Sequence, residues 1–178
     1  MPEPVTREHS LPPAVESMTL LVAAVIVHDR VNDSVVLLQR GPQAKFARGM
    51  WDLPVGKSAP GEPITETAVR ELLEETGLTV DPAGLSVAHV IHSSFGVESP
   101  SGFLTVVFVV HEWSGELANL EPEKHSKIDW VGVHEIPGNF VETTGSALRR
   151  YLTKGPNISL AGWPDATGRF YPELPEIS

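Results

Sequence analysis

Four charged residues crowd one short stretch: Arg70, Glu71, Glu74 and Glu75, within Gly56–Leu78 (GKSAPGEPITETAVRELLEETGL). Glu71 and Glu74 are three apart, and Glu71 and Glu75 four apart; on a helix both spacings bring side chains to one face. Like charges so placed repel by roughly a few tenths of a kcal/mol per pair, so a cation is expected among them. Carboxylate oxygens with few nitrogen or sulfur partners suit a hard cation, Mg²⁺ or Mn²⁺. A bare run of glutamates reads first as a solvated helix face. The surrounding pattern argues for more than that.

The segment supplies its own helix signals. Pro63 suits the first helical position, and Glu62 beside it suits the positive end of the helix dipole. Ala68, Val69, Leu72 and Leu73 form an apolar stripe to pack on a sheet. Glu66–Arg70 and Arg70–Glu74 are i,i+4 pairs. Gly77 is placed to end the helix in a left-handed conformation.

Read in order, the segment is Gly56, five residues, Glu62, seven residues, Arg70-Glu71-Leu72, one residue, Glu74-Glu75, one residue, Gly77-Leu78. It resembles the Nudix box, GX5EX7REUXEEXGU with U aliphatic, and matches at every defined position. At about 6% usage per letter, the seven fixed residues would recur by chance on the order of 10⁻⁹ per start position. The resemblance implies hydrolysis of a nucleoside diphosphate linked to another group X, by displacement at phosphorus with water. It implies that Glu71, Glu74 and Glu75 are metal-binding and base carboxylates, with Glu75 a ligand, Glu71 the first choice of base and Glu74 the second. Arg70 and Glu62 correspond to the internal ion pair of the box. Gly56 corresponds to the residue that lets the backbone approach the metal, and the Val55 carbonyl before it to a metal ligand. A further acidic ligand from outside the box is common in the family; Glu121 and Glu123, in NLEPEKHSKIDW, are the candidates, with Glu123 preferred. Arg40 and Lys57 are candidate phosphate contacts.

The EPEK run and Trp130 are similar to the MutT-like branch, which acts on nucleoside triphosphates. In that branch the segment from Phe140 to Leu152 forms a wall of the base pocket, and Trp51 and Phe95 are candidate stacking groups. His89, His92, His111 and His125 show no spacing that assigns them a role. The expected reaction is therefore Mg²⁺-dependent cleavage of a (deoxy)nucleoside triphosphate, oxidised ones included, to monophosphate and pyrophosphate. Pyrophosphatase action on ADP-ribose or a nucleotide sugar is the alternative within enzymes, and a non-catalytic ligand sensor the alternative of another class. The isomerase relatives that act on isopentenyl diphosphate use a cysteine, and this chain has none.

Elements to position these residues are legible elsewhere. Met18–His28 is a continuous apolar run, read as a strand covered on both faces; Asp29–Asp33 turns the chain and Ser34–Arg40 returns as a hairpin. Gly41–Trp51 is a loop. Val87–Ile91, Phe103–Trp113 and Ile128–Val133 read as strands, with a turn-rich loop from His92 to Pro100 and a polar one from Gly115 to Ser126. Phe140–Leu152 reads as a helix with Val141, Thr144, Ala147, Leu148 and Tyr151 on one side. The strands and two helices suggest a mixed sheet between helices, and the resemblance implies the same α/β/α sandwich with the box as a loop–helix–loop. The expected organisation is an N-terminal arm over 1–16, one domain over 17–154 and an extension over 155–178 whose aromatic residues could serve a homodimer.

At 178 residues the chain suits one domain with a proper core. Its net charge of −10 argues against a broad grip on duplex nucleic acid, whereas a bridging dication reconciles an acidic protein with a phosphorylated small molecule. No apolar run approaches the roughly 18 residues that span a bilayer, and the polar, proline-rich start has no signal-peptide core. Zero cysteines exclude disulfides and thiolate chemistry and are compatible with the cytoplasm.

Overall fold

The computed structural model describes residues 15–94 and 99–168; Phe95 and the aromatic residues beyond 168 lie outside them. Eight strands and two helices follow one another as β1 Leu20–Asp29, β2 Ser34–Arg40, β3 Trp51–Asp52, β4 Val55–Lys57, α1 Ile64–Thr76, β5 Ser86–Ser93, β6 Phe103–Val110, β7 His125–Gly132, α2 Glu142–Leu152 and β8 Ile158–Ala161.

The sheet is mixed and splays about β1. On one side β1 runs parallel to β6 over eight residue pairs, β6 is antiparallel to β5, and β5 is parallel to β8. β4 lies antiparallel to β1. β2 meets β1 only at the hairpin end, through His28–Val35 and Asp29–Ser34, and then leaves it to pair with β3 and β7. The hairpin turn is built by Asp29, whose carboxylate accepts from the Val31 and Asn32 amides at 2.9 and 3.1 Å.

β1 shows why both faces needed to be apolar. Successive side chains point to opposite faces. Ala24 and Ile26 face α2, in a cluster with Val35, Leu37, Val107 and Leu148. Ala23, Val25 and Val27 face α1, in a cluster with Val36, Ala68, Leu72 and Phe108. Helices on both faces make the expected α/β/α sandwich. Burying a leucine such as Leu72, fully enclosed, contributes about 1.5–3 kcal/mol, and this fixes α1 on its face.

Several boundaries differ from the sequence reading, each for a tertiary reason. β6 stops at Val110, and Trp113 instead packs against Trp130 at 4.9 Å between rings. β7 begins at His125 because β2 offers it partners from Arg40 onward. Phe140 is buried but precedes α2; Trp51 donates to the Asn139 carbonyl and accepts from the Val141 amide, and this bridge holds the chain extended there. Pro63 caps α1 from outside the first turn with ψ 142°. Leu73 lies off the apolar stripe, 43% exposed, while Thr67 and Thr76 take buried positions. β8 lies beyond the boundary expected after residue 154: four residues too short to read as a strand alone find an open edge on β5. No helix among the described residues is long and apolar enough to cross a membrane.

Candidate active site

Glu75 sits on the last turn of α1 and is 5% exposed. Its Oε2 accepts from the Val55 amide of β4 at 3.0 Å, and its Oε1 lies 3.2 Å from His125 Nε2 at the start of β7. Burial pushes its carboxyl up to about 7; the His125 and Val55 contacts pull the other way, and nearby Glu71 adds to the rise. Glu121 reaches the same place from the loop before β7, with Oε2 3.8 Å from His125 Nε2 and Oε1 held by Lys124 at 2.6 Å. One ligand atom from each of Glu75, Glu121 and His125 lies within 4.8 Å of the others.

These residues fit a hard dication. No lysine or arginine pairs with Glu75 among the described residues. His125 Nε2 faces that carboxylate, and in the Nε2–H tautomer it donates to it and orients an oxygen for the ion. His125 Nδ1 is buried with no hydrogen-bond partner. Local spacing does not mark His125, which lies fifty residues from Glu75; the one nearby signal is Glu121 four positions earlier. Glu123, the preferred outside ligand, is exposed on that loop and outside the group.

The cation among the α1 glutamates is Arg70. Its guanidinium takes Glu62 in a fork, Nε to Oε1 at 2.7 Å and Nη2 to Oε2 at 3.0 Å. Nη1 reaches Glu71 at 2.7 Å and Glu74 at 3.2 Å, and Nη2 also donates to the Lys57 carbonyl at 3.0 Å. Arg70 thus ties α1 to the loop before it and to β4. The Glu66–Arg70 pair expected from spacing does not form, because the guanidinium turns to these partners. Glu62 further accepts from the Ala59 amide and the Thr67 hydroxyl, at 2.9 and 2.8 Å. The Arg70 bonds lead in holding its carboxyl down at about 2.

Gly56 faces the Glu71 carboxylate so closely that a Cβ there would overlap it. The absence of a side chain lets Glu71 lie against the β4 backbone, and no other residue type permits that. Gly77 ends α1 at φ 74°, its amide closing on the Leu73 carbonyl at 2.9 Å.

Arg40 is occupied differently from the expectation. Nη1 bonds Asp52 at 3.2 Å, Nε donates to the Phe46 carbonyl at 3.1 Å, and the guanidinium lies 4.0 Å over the Phe46 ring. Asp52 is buried, and it also accepts from the Thr144 hydroxyl at 2.6 Å and the Leu53 amide at 2.9 Å. Burial raises its pKa, against the Thr144 and Arg40 contacts. Arg40 is therefore a structural partner joining β2, β3 and α2. Trp51 is half-buried beside the α2-side core, with Lys127 Nζ 5.6 Å from its ring centre.

A family profile described as NUDIX domain matches residues 18–151. A Caenorhabditis elegans protein assigned to the nudix hydrolases is 28% identical over 158 residues, covering 88% of this chain and 40% of that protein; the chain thus spans less than half of that relative's length. An 8-oxo-dGTP diphosphatase of Proteus vulgaris is 30% identical over 106 residues, covering 58% of this chain and 86% of that protein. The crystal structure of a MutT NUDIX hydrolase from Burkholderia pseudomallei superposes with a TM-score of 0.64 at 22% identity, covering 74% of this chain and 97% of that one. That last likeness is one of fold.

Proposed function

The chain belongs to the Nudix family, and from that premise we propose that it is a Mg²⁺-dependent pyrophosphohydrolase that cleaves a (deoxy)nucleoside triphosphate, oxidised ones included, to monophosphate and pyrophosphate. The observation that carries this reading is the convergence of a buried carboxylate that no described lysine or arginine neutralises, Glu75, with Glu121 and His125 beside a complete glutamate-bearing box. The substrate class is supported by the Proteus vulgaris relative, an 8-oxo-dGTP diphosphatase.

Glu75 and Glu121 would hold the metal, with the Val55 carbonyl, Glu71 and Glu74 completing the set and Glu121 serving in place of Glu123. When bound, the ion shields the charge of the diphosphate and acidifies the attacking water. The Val55 amide and His125 fix the orientation of the Glu75 carboxylate. Glu71 is the base: Arg70 holds its Oε1, which leaves Oε2 to receive the proton of the water. Glu74, 51% exposed and at the far side of Arg70, is the alternative base. The carbonyl of Lys57 anchors Arg70, and its side chain is on the β4 rim where a phosphate would approach.

The test is product analysis with a panel of nucleoside triphosphates, 8-oxo-dGTP and ADP-ribose, with and without Mg²⁺. Monophosphate and pyrophosphate should appear only with the metal. No hydrolysis of any diphosphate in Mg²⁺ or Mn²⁺, or wild-type turnover in Glu75→Gln, would favour a ligand-sensing domain instead.

A further inference from the structure

A cavity lies against the other helix, α2. It has a volume of about 750 Å³ and opens between α2, the β1–β2 turn and the segment that follows β7. Its walls mix the apolar side chains Val133, Ile136, Phe140 and Leu152 with cationic and polar ones. The cavity is remote from the acidic cluster. The cluster lies at the Arg40–His125 end of the β2–β7 pair, the cavity at the Ser34–Gly132 end, roughly 20 Å away at about 3.3 Å per strand residue.

Arg150 is the residue that sets this cavity apart. It lines the space, is 8% exposed, and its guanidinium makes no hydrogen bond or ion pair with any described residue. A guanidinium that is mostly withdrawn from bulk water, open to a cavity and without an anionic partner, favours an anion entering that space. Its near neighbour on β5 does not answer the charge: His89 is fully buried and held down at about 4 by burial and by Arg150 itself. One buried, unsatisfied atom faces the same space. His28 uses Nδ1 on the Tyr151 hydroxyl at 2.8 Å, while its Nε2 is buried without a hydrogen-bond partner, 3.8 Å from Asp33.

The other charges around the cavity complete the chemistry. Asp33 is flanked by His28 and, at 3.6 Å, by His134. Glu142 is at the start of α2, about 12 Å along the helix from Arg150. Arg149 adds a second guanidinium in the last turn of α2.

We propose that this cavity is a second binding site, for a small molecule that carries a phosphate or carboxylate group on an apolar body. The anionic group takes the Arg150 guanidinium, a geometry that guanidinium forks favour, and the body lies on Phe140, Ile136 and Leu152. The proposal does not depend on the hydrolytic activity.

The experiment uses the full chain in EDTA, where the acidic cluster lacks its metal, and phenyl phosphate as the probe, with inorganic phosphate in parallel. Amide chemical shifts and calorimetry are recorded. Shifts should concentrate at Val133, His134 and Arg149–Leu152, phenyl phosphate should bind more tightly than inorganic phosphate, and Glu75→Gln should bind it as the wild type does. Arg150→Met should weaken binding at least tenfold. Ser146→Phe, which fills the cavity and keeps Arg150, should abolish it and serves if the arginine variant does not fold. Wild-type shifts confined to residues 55–75, or equal binding by wild type and Ser146→Phe, would overturn the proposal.

Discussion

Each helix drives one charged side chain into the interior, and the two are answered differently. α1 buries Glu75, and the fold meets it with the Val55 amide and the His125 ring. α2 buries Arg150, and no described residue meets it. Around α1, one arginine gathers three carboxylates and a backbone carbonyl into a braced frame. Around α2 the side-chain bracing is two separate points, Thr144 on Asp52 and Tyr151 on His28, and the rest is largely apolar contact beside a cavity. The contrast separates a charge that the fold itself orients from one that it leaves open to a cavity.

The comparison is tested most severely at Glu75. Glu75→Gln should reduce turnover by roughly 10²–10³-fold, the scale on which one group that supports charge stabilisation in the transition state is lost. The same change should stabilise the metal-free protein. A carboxyl near 7 when folded and near 4.5 when unfolded binds more protons in the folded state between those values, so stability falls as pH rises through that window. Denaturant melts in EDTA should therefore show Glu75→Gln more stable than wild type at pH 8, by up to about 3 kcal/mol, with the difference gone by pH 4. A variant less stable than wild type at pH 8 would mean that the carboxylate is a net structural asset.

Asp52→Ala should come next, costing about 3 kcal/mol by leaving Arg40 and Thr144 unpaired, read as a lowered denaturation midpoint. If it costs under 1 kcal/mol, the α2 side does not rely on that junction. Gly56→Ala should cost about 1–3 kcal/mol through overlap with Glu71 and lower kcat by roughly 10²-fold through misplacement of that carboxylate. Unchanged kcat would show that Glu71 does not need its place against β4. Leu73→Ala should move stability by less than about 0.5 kcal/mol, whereas a larger loss would restore it to the apolar stripe.

The box segment was legible because its determinants are local. Helix spacing places Glu71, Glu74 and Glu75 together whatever the rest of the chain does, and Gly77 stops the helix by its own backbone freedom. β1 was legible because an alternating double-sided apolar run admits few other fates. His125, Glu121 against Glu123, the Arg40–Asp52–Thr144 junction and β8 were not legible, since each depends on which distant strand lies alongside. What the sequence by itself determined is the set of carboxylates that one helix presents together. Which loop carboxylate joins them, which arginine is spent on structure and which is left unanswered were decided only by tertiary packing. Burial and pairing belong to the neighbours a side chain meets in space, and neighbours fifty or more residues away leave no trace in local spacing.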